Sequence, residues 1–284
     1  QNPGGAVANL LAAVQKLGGQ TAFIGKAGND MHGLFLKSVV EKAGINTEGM
    51  LIDDNFFTTL AFVNLSPSGE RSFSFARKPG ADTQLSKDDV NYDIIKESKI
   101  FHTGSLSMTD EPACTATFEA LEFAKKNGLI VSYDPNYRKM LWKDEETAIK
   151  CMRSILSYVD IIKISDEEIH LLTDTNNPQD AAKELMDKGI DCVIVTLGSK
   201  GAYIATRDVD VLSPCPEGKV VDTTGAGDAF CAGVSIGLTY GKTMPEAIEI
   251  GSFLAASVIT SSENVCPRFL PEEIGLDKKY NPVD

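Results

Sequence analysis

Long apolar runs are missing from this 284-residue chain. Nothing approaches the ~20 residues of a membrane span and no signal peptide is visible, so no membrane partner is expected. Basic residues are in short supply: 27 Lys and Arg face 40 Asp and Glu, a formal net charge of −13. That balance excludes nucleic acid or an anionic lipid surface as the main partner, and any anionic substrate has to be held by local donors. Histidine is scarce, and His32, His102 and His170 are too far apart in sequence to suggest a metal site. The six cysteines (Cys114, Cys151, Cys192, Cys215, Cys231 and Cys266) include no Cys-x-x-Cys pair, and several fall in apolar stretches such as 191–196. Free thiols in a reducing cytoplasm fit this better than a disulfide frame or a zinc site. What remains is ordinary for a globular protein, with 24% charged and 43% apolar residues. The length allows one large α/β domain, or one domain with a small appendage.

Helical and strand patterns alternate along the chain. Ala6, Val7, Leu10, Leu11, Val14 and Leu17 recur at helical spacing and stop at Gly18 and Gly19, a C-cap pair. Thr21–Gly25 reads as a short buried strand, and 30–43 as a helix ended by Gly44. Short apolar runs at 99–103, 129–133, 160–164 and 192–196 are separated by helical segments such as 112–127 and 143–158. This alternation predicts a parallel sheet covered by helices on both faces, with its site at the C-terminal ends of the strands.

One stretch has a period of two instead. Thr58–Leu65, a Ser-Pro-Ser-Gly turn at 66–69, and Arg71–Arg77 predict a hairpin with Phe73, Phe75 and Arg77 on one face. Such a hairpin suits a lid over a polar ligand, a dimer contact, or an edge packed on its own domain.

The most informative segment is Asp222-Thr223-Thr224-Gly225-Ala226-Gly227-Asp228-Ala229-Phe230. It joins an extended stretch (219–221) to an apolar helix expected over about 229–238. A helix start exposes unpaired amides and a partial positive charge, and Gly225, Ala226 and Gly227 leave that start open to a phosphate. Asp228 follows where a carboxylate could take a proton from an attacking hydroxyl. The dinucleotide fingerprint is only partly matched, since the third glycine is missing and the acid lies inside the turn. A second glycine-rich stretch, Gly237–Thr243, is one residue short of a phosphate loop and reads as a helix C-cap. By itself, the Asp228 turn leaves a structural N-cap open as well as phosphoryl transfer.

Together with Gly4-Gly5-Ala6-Val7-Ala8-Asn9 and Gly25–Gly33, this segment resembles the ribokinase-type (PfkB) carbohydrate kinase family over 4–267. Ser68–Asp82, Asp134-Pro135-Asn136-Tyr137-Arg138 and Leu141-Trp142 are most similar to bacterial fructokinases, and 2-keto-3-deoxygluconate kinases share the last two elements. The resemblance implies an α/β fold, a three-layer α/β/α ribokinase-like sandwich with a mainly parallel central sheet and a small β lid. The kinase domain would comprise 1–54 and 79–284, with the hairpin at 55–78 inserted as the lid and possible homodimer contacts through it. It implies Asp228 as catalytic base and Gly225, Ala226 and Gly227 as the anion hole. Gly4, Gly5, Asn9, Arg77 and Arg138 would bind the sugar. Lys163, Ser165, Thr196, Gly198, Gly201 and Ser252 would line the ATP site beside Gly225 and Gly227. Glu168 would place Mg²⁺ through water, and Asp222 and Thr224 a monovalent cation such as K⁺.

The departures are Ser165 where the family's acidic motif begins with Asn, Ser252 where relatives often have Asn, and Ser262-Glu263-Asn264 after the cation-site helix. The last puts K⁺ dependence in question. The family's first strand, with an Asp that grips the sugar, would precede Gln1. The expected activity is ATP-dependent phosphorylation of fructose in the cytoplasm; a sugar-acid kinase and a non-catalytic sugar or nucleotide sensor are the rivals.

Overall fold

The computed structural model describes residues 3–65, 71–214 and 225–259. Six strands make the main sheet: β5 (Ile100–Gly104), β6 (Ile130–Asp134), β7 (Ile161–Ser165), β8 (Cys192–Thr196), β9 (Ala202–Thr206) and β10 (Asp210–Ser213). Their order is β10-β9-β8-β7-β6-β5, parallel from β5 to β8 and antiparallel through β9 and β10. Two smaller sheets stand apart. β1 (Gly25–Gly28) pairs in parallel with β2 (Met50–Asp53), and β3 (Leu60–Leu65) pairs antiparallel with β4 (Arg71–Ala76).

Alternation along each strand sorts side chains between two helical layers. Ile162, Ile164, Val193 and Val195 face a core built with α4 (Ala113–Lys126), α5 (Glu145–Ser154), α6 (Ile169–Leu172) and α7 (Pro178–Asp187). Ile161, Cys192, Ile194 and Ile204 face Phe230 and Val234 of α8 (Ala226–Thr239), with Ala247 and Ile248 of α9 (Met244–Ile259). Leu10 and Val14 of α1 (Ala6–Lys16) extend that second layer against Ala232 and Ile236. The result is a three-layer α/β/α sandwich whose sheet is mainly parallel. Of the remaining helices, α3 (Tyr92–Lys96) adds Ile95 to the first core, and α2 (Met31–Lys42) contributes to none of these clusters.

Local sequence explains several boundaries. Gly18 donates to Gln15 and Gly19 to Val14, closing α1 with the expected glycine pair. Gly241 (φ 72°) and the bond from Lys242 to Gly237 end α8 in the same way, so the stretch 237–243 is a C-cap. α8 and α9 approach backbone to backbone, since a Cβ at Gly233 would come within 2.5 Å of the Gly251 Cα.

Two expected boundaries moved. The strand expected at 21–25 starts at Gly25 and runs to Gly28, because pairing with Met50–Asp53 begins there, and Ala22 makes only an isolated bridge to Asn46. The helix expected from Ala229 starts at Ala226, three residues earlier: Ala229 donates to Gly225, so the small residues are helical. The apolar pattern marks where a helix is buried, not where it begins.

The hairpin is rooted at both ends. Thr58, before β3, donates its amide and hydroxyl to Asp30 and accepts from the Gly28 amide. Asp30 also caps α2 through His32 and Gly33. These donors outweigh burial and hold its carboxyl below the usual range.

Candidate active site

Gly225 opens α8 with a left-handed φ of 80° and brings no side chain of its own to the helix end. The first amides of an α-helix have no acceptor inside it, so this end points donors and a partial positive charge into its surroundings. Asp228 lies in that first turn. Asn9 of α1 donates to its Oδ2 at 2.9 Å, joining the N-terminal and C-terminal motifs across 219 residues of sequence. Burial pushes the Asp228 carboxyl up to about 6; the Asn9 bond, Lys163 and Arg138 oppose that shift and Asp134 adds to it. A carboxyl poised near neutral pH is suited to accept a proton from a hydroxyl.

A cleft of about 710 Å³ runs between α1 and β5, lined in part by Gly4, Gly5, Thr103, Ser107, Asp134 and Asn136. Gly5, at φ 127°, is the N-cap of α1, a conformation that resists any side chain. Asn136 has φ 46° and donates its amide to Asp134 Oδ1, a tight turn that brings both side chains to the end of β6. The residue types at 134–138 signalled this turn, but no role had been attached to Asp134 or Asn136.

The other expected residues divide. Arg138 donates to the carbonyl of Tyr137 and lies close enough to lower the Asp228 carboxyl. Ser165 and Thr196 are register partners at the ends of β7 and β8, and Gly198 and Gly201 flank the turn into β9, so these four share one sheet edge. Ser252 is half-buried on α9. Glu168 is buried; one carboxylate oxygen accepts from the Ser165 amide and hydroxyl and the other from the Tyr137 amide. Arg77 is expected at the sugar, but its guanidinium is taken up by Asp82, Thr109 and the Leu106 carbonyl and is only 4% exposed. Lys163, expected at the nucleotide, points its Nζ at Asp134 Oδ2, 3.0 Å away. Asp222, Thr224, the 219–221 stretch, the 66–69 turn and Ser262–Asn264 lie outside the described residues. Among the described residues no group of three His, Cys, Asp or Glu side chains could hold a metal ion.

The model of the pfkB family of carbohydrate kinases matches residues 1–267. The chain belongs to that family. Among its relatives, Probable fructokinase-5 of Arabidopsis thaliana is 45% identical over 237 residues, 83% of this chain and 73% of that protein. Fructokinase-2 of Oryza sativa subsp. japonica is 44% identical over 230 residues, 80% and 68% of the two chains. The crystal structure of fructokinase from Vibrio cholerae O395, in a fructose-, ADP- and calcium-bound form, superimposes with a TM-score of 0.85 at 30% identity. It covers 95% of this chain and 89% of its own. Fructokinase from Xylella fastidiosa with bound ATP gives 0.86 at 31% identity, covering 95% and 88%. The pfkB membership agrees with the sandwich.

Proposed function

We propose that this chain is an ATP-dependent sugar kinase that converts fructose and ATP into fructose 6-phosphate and ADP. The observation that carries the reading is Asp228: a half-buried carboxyl held up to about 6, in the first turn of a helix whose N-terminal end suits a phosphate. The family and the fructokinases among its relatives support it.

In this mechanism the sugar lies against Gly4, Gly5 and Asn9, with its reacting hydroxyl at Asp228. Asp228 takes the hydroxyl proton while that oxygen bonds to the γ-phosphorus, and the bond to the β-phosphate oxygen breaks to release ADP. Amides from Gly225 to Gly227 meet the charge spread over the transferring group, and losing one such donor costs on the order of 3 kcal/mol of barrier. Ser165, Thr196, Gly198 and Gly201 offer the edge along which the nucleotide lies. Glu168, oriented by Ser165 and Tyr137, would hold a divalent ion through water, and Mg²⁺ would neutralise charge on the phosphates there.

Fructose is favoured over a sugar acid by the fructokinases among the relatives; of the two cations that could meet a carboxylate, Arg77 is already paired with Asp82, and Arg138 lies beside Asp228. We extend the proposal to a homodimer through the hairpin, where Phe57 and Phe62 are 80% and 58% exposed; a monomeric mass in solution would remove that part. No helix among the described residues is long and apolar enough to cross a membrane, and a reducing cytoplasm suits the four free cysteines seen.

An ADP-coupled assay over fructose, ribose and 2-keto-3-deoxygluconate tests the assignment. Fructose should turn over best, and Asp228→Asn should abolish turnover while sugar binding persists. Binding without turnover of any sugar would point to a sensor.

A further inference from the structure

Lys163 and Asp134 form the most deeply placed ion pair near the site, and neither the chemistry nor the phosphate cradle above uses it. Both side chains point to the α8 face of the sheet, Lys163 from the middle of β7 and Asp134 from the end of β6. Nζ and Oδ2 are 3.0 Å apart, with side-chain exposures of 11% and 5%. The pair lies directly under the start of α8. A Cβ built on Gly227 would come 2.8 Å from Nζ and 3.9 Å from Asp134 Oδ2. Gly227 immediately precedes Asp228, so the ammonium supports the turn that carries both the phosphate-facing amides and the base.

The charges around this corner are few. Facing Asp228 are Asn9 from α1, Asp134 from β6, Lys163 from β7 and Arg138 from the loop after β6, with the Cys231 thiol on its own helix. Facing Lys163 are Asp134, Glu168, His102 and Cys231. Burial works against the Lys163 ammonium, but Asp134 and Glu168 more than offset it and keep it protonated. His102, buried beside that ammonium and bonded to Ser132, is held down to about 4 and so adds no positive charge at neutral pH. Lys163 is then the buried cation that balances Asp134 next to Asp228.

We propose that Lys163 is a positioning residue of the phosphoryl-transfer site: clamped by Asp134, it holds the first turn of α8 from beneath and cancels the Asp134 charge, so that Asp228 meets its substrate as a carboxylate. This rests on the kinase reading. It replaces the expectation that Lys163 is a nucleotide ligand, for which its Nζ is buried on the wrong partner.

Two substitutions that unbalance the pair in opposite senses test it. Lys163→Met leaves Asp134 uncompensated, and the acid limb of kcat/KM should move up by about one pH unit. Asp134→Asn leaves Lys163 uncompensated, and the limb should move down. In both variants KM for ATP should change less than about threefold, well short of a lost charged contact. The idea is overturned by limbs that stay in place, or by a large rise in KM for ATP with an unmoved limb. Should Lys163→Met fail to fold, the downward shift in Asp134→Asn alone decides. The Asp228 carboxylate titration, followed by ¹³C NMR with Asp228→Asn as the assignment control, reads the same shifts without turnover. If wild type phosphorylates no sugar, the kinase reading falls; if the NMR shifts are also absent, the clamp falls with it.

Discussion

Asp228 is raised from 3.8 to about 6 by burial, so its charged form is disfavoured in the folded protein. The sign follows from linkage. A group whose folded value lies above its unfolded one contributes stability below the unfolded value, and that contribution is lost as pH rises through the folded value. For this carboxyl the window is about 4 to 6, and above it ionisation costs the fold about 3 kcal/mol relative to acid pH. Asp228→Asn removes the ionisation, keeps the volume and leaves an oxygen for the Asn9 amide. Urea unfolding without ligands should find the variant more stable than wild type by about 2–3 kcal/mol at pH 8, with the gap closing towards pH 4. In a scan this corresponds to a rise in Tm of roughly 3–5 °C at pH 8. A gap independent of pH, or a variant weaker than wild type at pH 8, would refute the view that burial raises this carboxyl.

Thr58→Val should cost about 1–3 kcal/mol, since it orphans the Gly28 amide and removes a donor from Asp30; unchanged urea stability would show that this hairpin root is not strained by the loss. Arg77→Lys retains charge but cannot reproduce the fork onto Asp82, Thr109 and Leu106. A loss of about 2 kcal/mol and faster proteolysis near the 60–76 hairpin are expected, and a protease pattern like wild type would argue against the anchor. Gly233→Ala would drive a Cβ to 2.5 Å from the Gly251 Cα, so α8 and α9 must part, at about 1–3 kcal/mol; an unaltered Tm would mean that they separate freely.

The layers were legible because strands buried on both faces are apolar throughout; Cys192–Val195 carries that pattern, and Ile161–Ile164 carries it except at Lys163. The hairpin was legible from its period of two, and β3 and β4 pair over Leu60–Leu65 and Arg71–Ala76, within the stretches expected. Boundaries were less so. Gly225 and Gly227 are poor helix formers, and the apolar pattern begins only at Ala229; Gly225 stays outside as the left-handed N-cap, while Ala226 and Gly227 join the helix. Gly28 and Gly33 fell inside a recognisable motif, but their reason is steric: a Cβ at Gly33 would come 2.0 Å from the Gly28 carbonyl oxygen.

Within the site, motif spacing disclosed which residues gather but not which of them face one another. Asn9 and Asp228 each stood in a separate signature, and the bond between them depends on α1 packing against α8. Arg77 and Lys163 show the limit most clearly. A basic residue in a polar motif reads as a ligand for an anion, yet a buried cation has to be paired wherever the nearest carboxylate lies. For Arg77 that carboxylate is Asp82, five residues on, and for Lys163 it is Asp134, one strand across the sheet. Such pairings are set by strand register and by which face a residue occupies, and one residue of slip would have sent Lys163 into the opposite core. The charge balance around Asp228 is therefore a property of the folded sheet, and substitutions beneath α8 should alter the base as surely as substitutions beside it.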